Sequence, residues 1–476
     1  LTTATAAALG TTFPKKLFAQ ADQSQSPNEK LRCAVVGSRG RGFNHASAYA
    51  ARKDCEVAYI CDADSEVGPR IAQKIAEIQG REPKVVPDMR TIFDDKSVDV
   101  VSIATPNHWH SLAGIWAMQA GKDVYVEKPV SHNVSEGRRL VQTARKYGRI
   151  CQAGTQHRNS GAGMAAIEYM RSGKLGKIHL AHAIASAYQI RKPIGPAGVT
   201  YPPPPTVDYN LWAGPAPMAP ITRKSFHYDW HWIWDFGNGE LGNNGIHAVD
   251  LVRWGLGLKG LGRAVMSFGG RVGYEDAGQT PNTLITIHDF DDVTVVQEVR
   301  GLKTEPYRFP GEAIFYGTEG IIGMGVNKDP VVLFDPEGKE ISRFQGEYTD
   351  HFDNFIHCVR NRKSEELKAD VLEGHTSSAL CHVGNISYRV GHAASPKEIL
   401  DQLESRKTHE NVHETFDRVR NHLADNNVDI EKTQLTLGPW LTIDSEHETF
   451  VDNPSANALL TREYRKPFIV PGANEI

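Results

Sequence analysis

Leu31-Arg32-Cys33-Ala34-Val35-Val36, then Gly37-Ser38-Arg39-Gly40-Arg41-Gly42, then Val57-Ala58-Tyr59-Ile60-Cys61-Asp62: these three pieces decide the fold of this chain. The run 32–36 is almost wholly apolar, as expected of a strand covered on both faces. Three glycines follow at once, and a helix is predicted over 44–52. The second apolar run ends in Asp62, 20 residues beyond Gly42. Strand, glycine turn, helix, strand and acid form the dinucleotide-binding order. Gly37 permits a tight turn, and Gly42 lets the helix approach the sheet. The N–H groups at the helix start then face a pyrophosphate. Asp62 can accept hydrogen bonds from both ribose hydroxyls, and its charge repels a 2′-phosphate, so NAD is expected over NADP. Arg39 occupies the place of the middle glycine of G-x-G-x-x-G, with Gly40 beside it. Alone, the hexapeptide would be read as a plain turn; the flanking strand, helix and acid give it meaning.

Outward from this unit the alternation continues. Strands are predicted at 98–103, 123–126 and 149–153, with helices over 65–79, 109–120 and 135–147. Such alternation argues for a parallel sheet with ligands at its carboxyl edge. Three polar clusters stand at those strand ends: Thr105-Pro106-Asn107-His108-Trp109-His110, Glu127-Lys128-Pro129 and Gly154-Thr155-Gln156-His157-Arg158. Residues expected to hold the cofactor are Gly37, Arg39, Gly40, Gly42, Asp62, Thr105, Asn107, His110, Glu127 and Gln156.

These motifs, together with Gly239-Glu240-Leu241-Gly242-Asn243-Asn244-Gly245-Ile246-His247-Ala248-Val249-Asp250, resemble the family of glucose–fructose oxidoreductases and inositol dehydrogenases (Gfo/Idh/MocA). The resemblance covers most of the chain from about residue 31. It implies that Lys128 lies beside the nicotinamide and the reacting carbon, with Pro129 fixing the turn, often through a cis peptide. An ammonium there can stabilise an alkoxide as hydride leaves. The resemblance also implies that His247 exchanges the hydroxyl proton, a task suited to imidazole. Many members carry an aspartate four residues before this histidine; here Asn243 stands there, and an amide cannot raise the histidine's basicity. A surface Lys128–Glu127 pair and a core histidine are the blander readings of the same residues.

The stretch from Tyr201 to Asp235 is rich in proline and aromatics. Flat rings interleaved with carboxylates suit sugars, and a long loop packed over the sheet is the competing reading. Arg158, Trp232, Asp235 and Asp250 are the expected substrate contacts. His227 and His231 stand at i and i+4, but no Cys or Glu completes a ligand set, so no metal is expected.

Beyond residue 155 the pattern turns to strands, at 178–188, 264–268, 283–288, 293–299, 313–316 and 331–334, with helices at 351–360 and 371–388. The expected fold class is α/β: an N-terminal Rossmann domain with a parallel sheet (31–155), then a C-terminal α+β domain with an open, mainly antiparallel sheet (156–476). In the resembled family that sheet's outer face commonly forms homodimers or homotetramers. Residues 396–476 read as a charged helical stretch and a Pro/Asn-rich end, without legible chemistry.

The chain has 476 residues, with 57 acidic against 53 basic and a net charge of −4, so no basic excess exists to neutralise nucleic-acid phosphates. No apolar run approaches the ~20 residues of a membrane-spanning helix. Residues 1–30 begin at Leu1, lack acids until Asp22, and contain Ala19-Gln20-Ala21, a small-x-small pattern. They are read as a signal remnant of the twin-arginine kind, implying export to the periplasm, against a disordered arm on a cytoplasmic protein. Cys33, Cys61 and Cys151, expected in buried strands, agree with folding before export.

The leading expectation is an NAD-dependent oxidoreductase moving hydride between nicotinamide and a secondary alcohol of a sugar or polyol. The same parts allow transient oxidation, elimination of a glycosidic substituent and re-reduction. A third reading is a non-catalytic sugar or dinucleotide sensor, against which Lys128 and His247 argue.

Overall fold

The computed structural model describes residues 30–186, 190–325 and 330–476. The expected signal remnant and the end of the strand predicted at 178–188 lie outside them.

Six strands form an all-parallel sheet: β1 (Leu31–Val36), β2 (Cys55–Cys61), β3 (Lys84–Val86), β4 (Val100–Ile103), β5 (Asp123–Val126) and β6 (Cys151–Ala153), in the order β3-β2-β1-β4-β5-β6. β1 shows why its sequence is apolar throughout. Cys33 and Val35 pack with Ala46, Tyr49, Ile71 and Ile75 on one face, while Ala34 and Val36 pack with Leu112, Ile115 and Leu140 on the other. Each face must be apolar because each is covered by crossover helices. β3 was not legible: it is only three residues long and begins with an exposed lysine. Segments far along the chain complete both layers, Phe352, Phe355 and Ile356 on the first face and Val371, Phe468 and Val470 on the second.

The second sheet contains β7 (Ile178–Ser186), β8 (Ala264–Gly270), β9 (Thr283–Asp289), β10 (Thr294–Arg300), β11 (Ala313–Gly317), β12 (Gly320–Met324), β13 (Val331–Phe334), β14 (Glu340–Phe344), β15 (His392–Ala394), β16 (Leu435–Leu437), β17 (Leu441–Asp444) and β18 (Thr449–Phe450). It is mostly antiparallel. The predicted hairpin is β9–β10, with Asp289 opposite Thr294, while β7 runs parallel to β10. Helices Ile246–Leu256 and Val371–Arg389 pack against one face of this sheet.

On the other face, Ile399, Leu403, Phe416, Val419 and Leu423 from helices Pro396–Glu404 and Val412–Asp425 cover Leu180, Met266, Phe268, Ile285, Ile287 and Val296. The tail is therefore structural rather than appended. Its helices cover part of one face of the sheet, and β16 and β17 both pair with β8. The six cysteines are free, buried thiols.

Candidate active site

The carboxyl ends of the parallel strands open into a crevice of about 540 Å³, within the usual size of ligand pockets. Its floor begins at the glycine turn. Gly37 has φ +78° and Gly40 φ +55°, a region L side chains rarely adopt. A Cβ on Gly42 would lie 1.8 Å from the Gly37 carbonyl oxygen, so only glycine permits this approach of helix Arg41–Ala50 to the strand end. Among the described residues no side chain caps that helix, and its first turn contains no acid. Its positive end is left for an anion. Asp62, at the end of β2, accepts hydrogen bonds from Ser38 N (2.9 Å), Ser38 Oγ (2.7 Å) and Asp64 N (3.1 Å), which fix its carboxylate at the crevice wall.

Glu127 ends β5 as a buried carboxylate. Arg41 Nε donates to it at 2.7 Å, His45 Nε2 lies 3.1 Å away, and the Lys128 amide donates at 3.2 Å. Burial alone would raise this carboxyl, but Arg41, His45 and Lys128 hold it well below the usual range. Glu127 is thus an anchor for the turn. It does not pair with the Lys128 ammonium in the manner of a surface ion pair; Lys128 Nζ instead donates to the Asn243 carbonyl oxygen at 2.7 Å and contacts its Oδ1 at 3.4 Å. Burial lowers the Lys128 pKa from 10.5, with Glu127 and Glu240 opposing. The Lys128–Pro129 peptide is cis.

Asn243 sits in a wide turn, Leu241–Gly245, that runs directly into helix Ile246–Leu256 and so brings His247 to the same crevice. The ring of His157 packs edge-on against that of His247, 4.6 Å between centroids. Burial, then the neighbouring His157 and Lys128 charges, pushes His247 well below 6.5. Burial brings His157 to about 4. Both imidazoles are therefore neutral at pH 7. Among the described residues the Nδ1 of His247 has no hydrogen-bond partner, nor do Thr105 Oγ1 and Gln156 Oε1, and all three residues line the crevice. Unpaired buried polar atoms beside an open helix end suit a polar ligand, and NAD fits this donor set.

The crevice brings together Gly37, Arg39, Gly40, Asp62, Thr105, Asn107, His110, Glu127, Lys128, Gln156, Asn243 and His247. Gly42 lies beneath the turn as its packing contact. Four expected substrate contacts stand elsewhere. Arg158 and Asp250 form a buried two-point ion pair, both bonds at 2.8 Å. Trp232 is buried under the Arg191 guanidinium. Asp235 lines a separate, smaller cavity. None of the four lines the crevice among the described residues.

The aromatic stretch supplies different groups. Tyr228, Trp230, His227, His231 and Trp212 line the crevice, with the His231 ring stacked on Trp230 at 3.6 Å, and Trp212 also packs with Phe226 and Phe236 in a small core. His227 and His231 face different partners, Asp64 at 3.0 Å and the Tyr228 carbonyl at 2.5 Å. Their i, i+4 spacing, weighed in the sequence for metal, marks crevice lining instead. Arg41 and His157 were also missed, although both stand inside quoted motifs.

Residues 31–155 match the Gfo/Idh/MocA "oxidoreductase family, NAD-binding Rossmann fold", and residues 197–400 match the same family's C-terminal alpha/beta domain. The scyllo-inositol 2-dehydrogenase (NAD(+)) of Bacillus subtilis is 26% identical over 348 residues, covering 70% of this chain and 88% of that enzyme. The D-glucoside 3-dehydrogenase of Escherichia coli is 29% identical over 164 residues, 34% of this chain and 45% of that enzyme. The alpha-N-acetylgalactosaminidase of Shewanella oneidensis is 25% identical over 154 residues, 32% of this chain and 34% of that enzyme. Among solved structures, the WlbA dehydrogenase of Bordetella pertussis, in complex with NADH and UDP-GlcNAcA, superposes with TM-score 0.54 at 21% identity, covering 74% of this chain and 94% of that one.

Proposed function

Because this chain belongs to the Gfo/Idh/MocA family of NAD-binding oxidoreductases, we propose that it oxidises a secondary alcohol of a sugar or polyol in the crevice between its two sheets. One observation carries the reading: Lys128, Asn243 and His247 line the same crevice as the Gly37–Gly42 turn and Asp62. Bound NAD supplies the hydride acceptor. Gly37, Gly40 and the open start of helix Arg41–Ala50 would hold its pyrophosphate, and Asp62 its adenosine ribose.

The chain's own residues then handle oxygen and proton. Lys128, charged and partly desolvated, donates a hydrogen bond to the substrate hydroxyl and stabilises negative charge on its oxygen. His247, neutral at pH 7, accepts the hydroxyl proton. With an amide at 243, the His157 ring edge is the neighbour that faces this imidazole.

The pH dependence follows from these directions. Oxidation requires neutral His247 and charged Lys128. The rate should therefore rise with pH through a limb below 6.5 and fall again through a limb below 10.5. In His247→Asn the acid limb disappears and turnover drops about 10²–10⁴-fold. An acid limb retained in that variant assigns the proton to another group.

Asp62→Ala should shift the NAD-to-NADP preference by roughly tenfold toward NADP, the scale of one charge-assisted hydrogen bond. Competitive binding of the two nucleotides measures it, and an unchanged ratio removes Asp62 from ribose recognition.

The glycosidase relatives favour one second reading. Oxidation of a ring hydroxyl acidifies the adjacent C–H. Loss of that proton expels the glycosidic substituent, water adds to the unsaturated ketone left behind, and returning the hydride restores NAD, leaving net glycoside hydrolysis. Export, the expectation for residues 1–30, would suit this closed cycle. Incubation with glycosides, following reduced nicotinamide by absorbance alongside product release, separates the two. Accumulating reduced cofactor supports the dehydrogenase; substituent release without it supports cleavage; neither, with NAD bound, supports a sensor.

A further inference from the structure

A second cavity, of about 120 Å³, lies beyond the end of β5 and shares none of its lining residues with the crevice. That volume equals about four waters. Its lining includes Arg389, Arg462, His132, His382, Asn238 and Asn385, of which Asn238 and Asn385 donate to the His132 and Asn238 carbonyls and His132 Nε2 contacts the Trp234 carbonyl. Arg462 enters from the C-terminal tail. One of its nitrogens donates to the Asp235 carbonyl oxygen at 2.8 Å and lies 3.3 Å from His132 Nδ1, while its Nε and second terminal nitrogen are buried with no partner among the described residues.

His382, only 3% exposed, contacts Ser131 Oγ through Nε2 at 3.2 Å and leaves Nδ1 unpaired. Arg389, an exposed residue, stacks its guanidinium on the Trp234 ring at 5.0 Å. The acidic group in this wall is Asp235, which offsets one of the two guanidinium charges. Glu136, the nearby buried carboxyl, is occupied by Asn133 and the His132 amide. Burial holds its pKa up, against the opposing charge of Arg462. Two guanidinium groups, one of them with two unpaired buried nitrogens, therefore line a space of a few heavy atoms. Unpaired buried guanidinium nitrogens are costly, and a planar or tetrahedral oxyanion is the ligand that satisfies their fork.

We infer that this cavity binds a small oxyanion, a phosphate or a carboxylate, clasped by Arg462 and Arg389. The site touches the crevice through a short chain: Asn238 donates to the His132 carbonyl at 2.9 Å and accepts from Asn107 Nδ2 at 2.9 Å, and Asn107 lines the crevice.

The test is calorimetric titration of the NAD-saturated protein, which closes the pyrophosphate-binding turn, with inorganic phosphate and separately with acetate, at constant ionic strength in chloride. Saturable binding of either ion at one site is expected, weakened at least tenfold in Arg462→Met and in Arg389→Gln. Phosphate binding alone identifies a tetrahedral ligand, acetate binding alone a carboxylate. Among the described residues the exposed Arg389 side chain makes a stacking contact and no hydrogen bond, so its variant serves if Arg462→Met fails to fold. Absence of saturable binding by both ions, or binding unchanged in Arg389→Gln, overturns the inference.

Discussion

Lys128→Met lowers turnover of the oxidised sugar or polyol by about 10²–10³-fold, with NAD affinity within about threefold of the parent. The expected size follows from where the ammonium sits. Nζ is directed to the crevice by its bond to the Asn243 carbonyl, not to Glu127, whose carboxylate is taken by Arg41 and His45. Removing the ammonium thus strips one charged donor from the reacting oxygen while the glycine turn and Asp62 remain. Methionine keeps the apolar stem, so the change is electrostatic rather than a loss of packing. Stopped-flow measurement of nicotinamide reduction, beside direct titration of NAD, separates the two quantities. Equal turnover in variant and parent would remove the lysine from the chemistry. A matching loss of NAD affinity would recast it as a binding group.

The parts of this molecule that could be read in advance are those whose chemistry is local. A glycine whose added Cβ would lie 1.8 Å from a carbonyl oxygen, or an acid closing a strand, carries its reason within a few residues of itself. The two-faced apolar strands and the hairpin at 289–294 are legible for the same cause, since periodicity reports which faces are covered. What could not be read is which partner a charge finds. Arg158 and Asp250 stand 92 residues apart, and each alone looks like a ligand contact. Their mutual pairing exists only once β6 and helix Ile246–Leu256 are brought together. Trp232 is similar: an aromatic in an aromatic run is equally a platform or a core residue, and the Arg191 guanidinium above it decides for packing. The tail was opaque because its helices, Pro396–Glu404 and Val412–Asp425, carry charge outward and an apolar stripe toward a sheet formed a hundred residues earlier.

Arg158→Met costs about 3–5 kcal/mol of stability, the scale for leaving one member of a buried ion pair uncompensated. Asp250 is buried, and burial alone would raise its carboxyl; Arg158, with Ser377 Oγ at 2.7 Å, holds it below the usual range. Without the guanidinium the carboxylate must protonate or admit water. Arg253 does not substitute, because its guanidinium is engaged by the Glu373 and Leu258 carbonyls and by Ser377.

The pair also carries information about the site. Arg158 follows His157 in the turn after β6, and Asp250 lies one helical turn beyond His247, so the bidentate clamp fixes the two imidazoles edge to face. Urea unfolding should therefore show a lower midpoint for Arg158→Met. Replacing both partners, as Arg158→Met with Asp250→Leu, should recover part of the loss, since no unpaired charge remains. KM for the substrate should stay near the parent value wherever the variant is folded, while turnover falls as His247 loosens. A large rise in KM at unchanged stability would return Arg158 to the substrate and show that the clamp opens on binding.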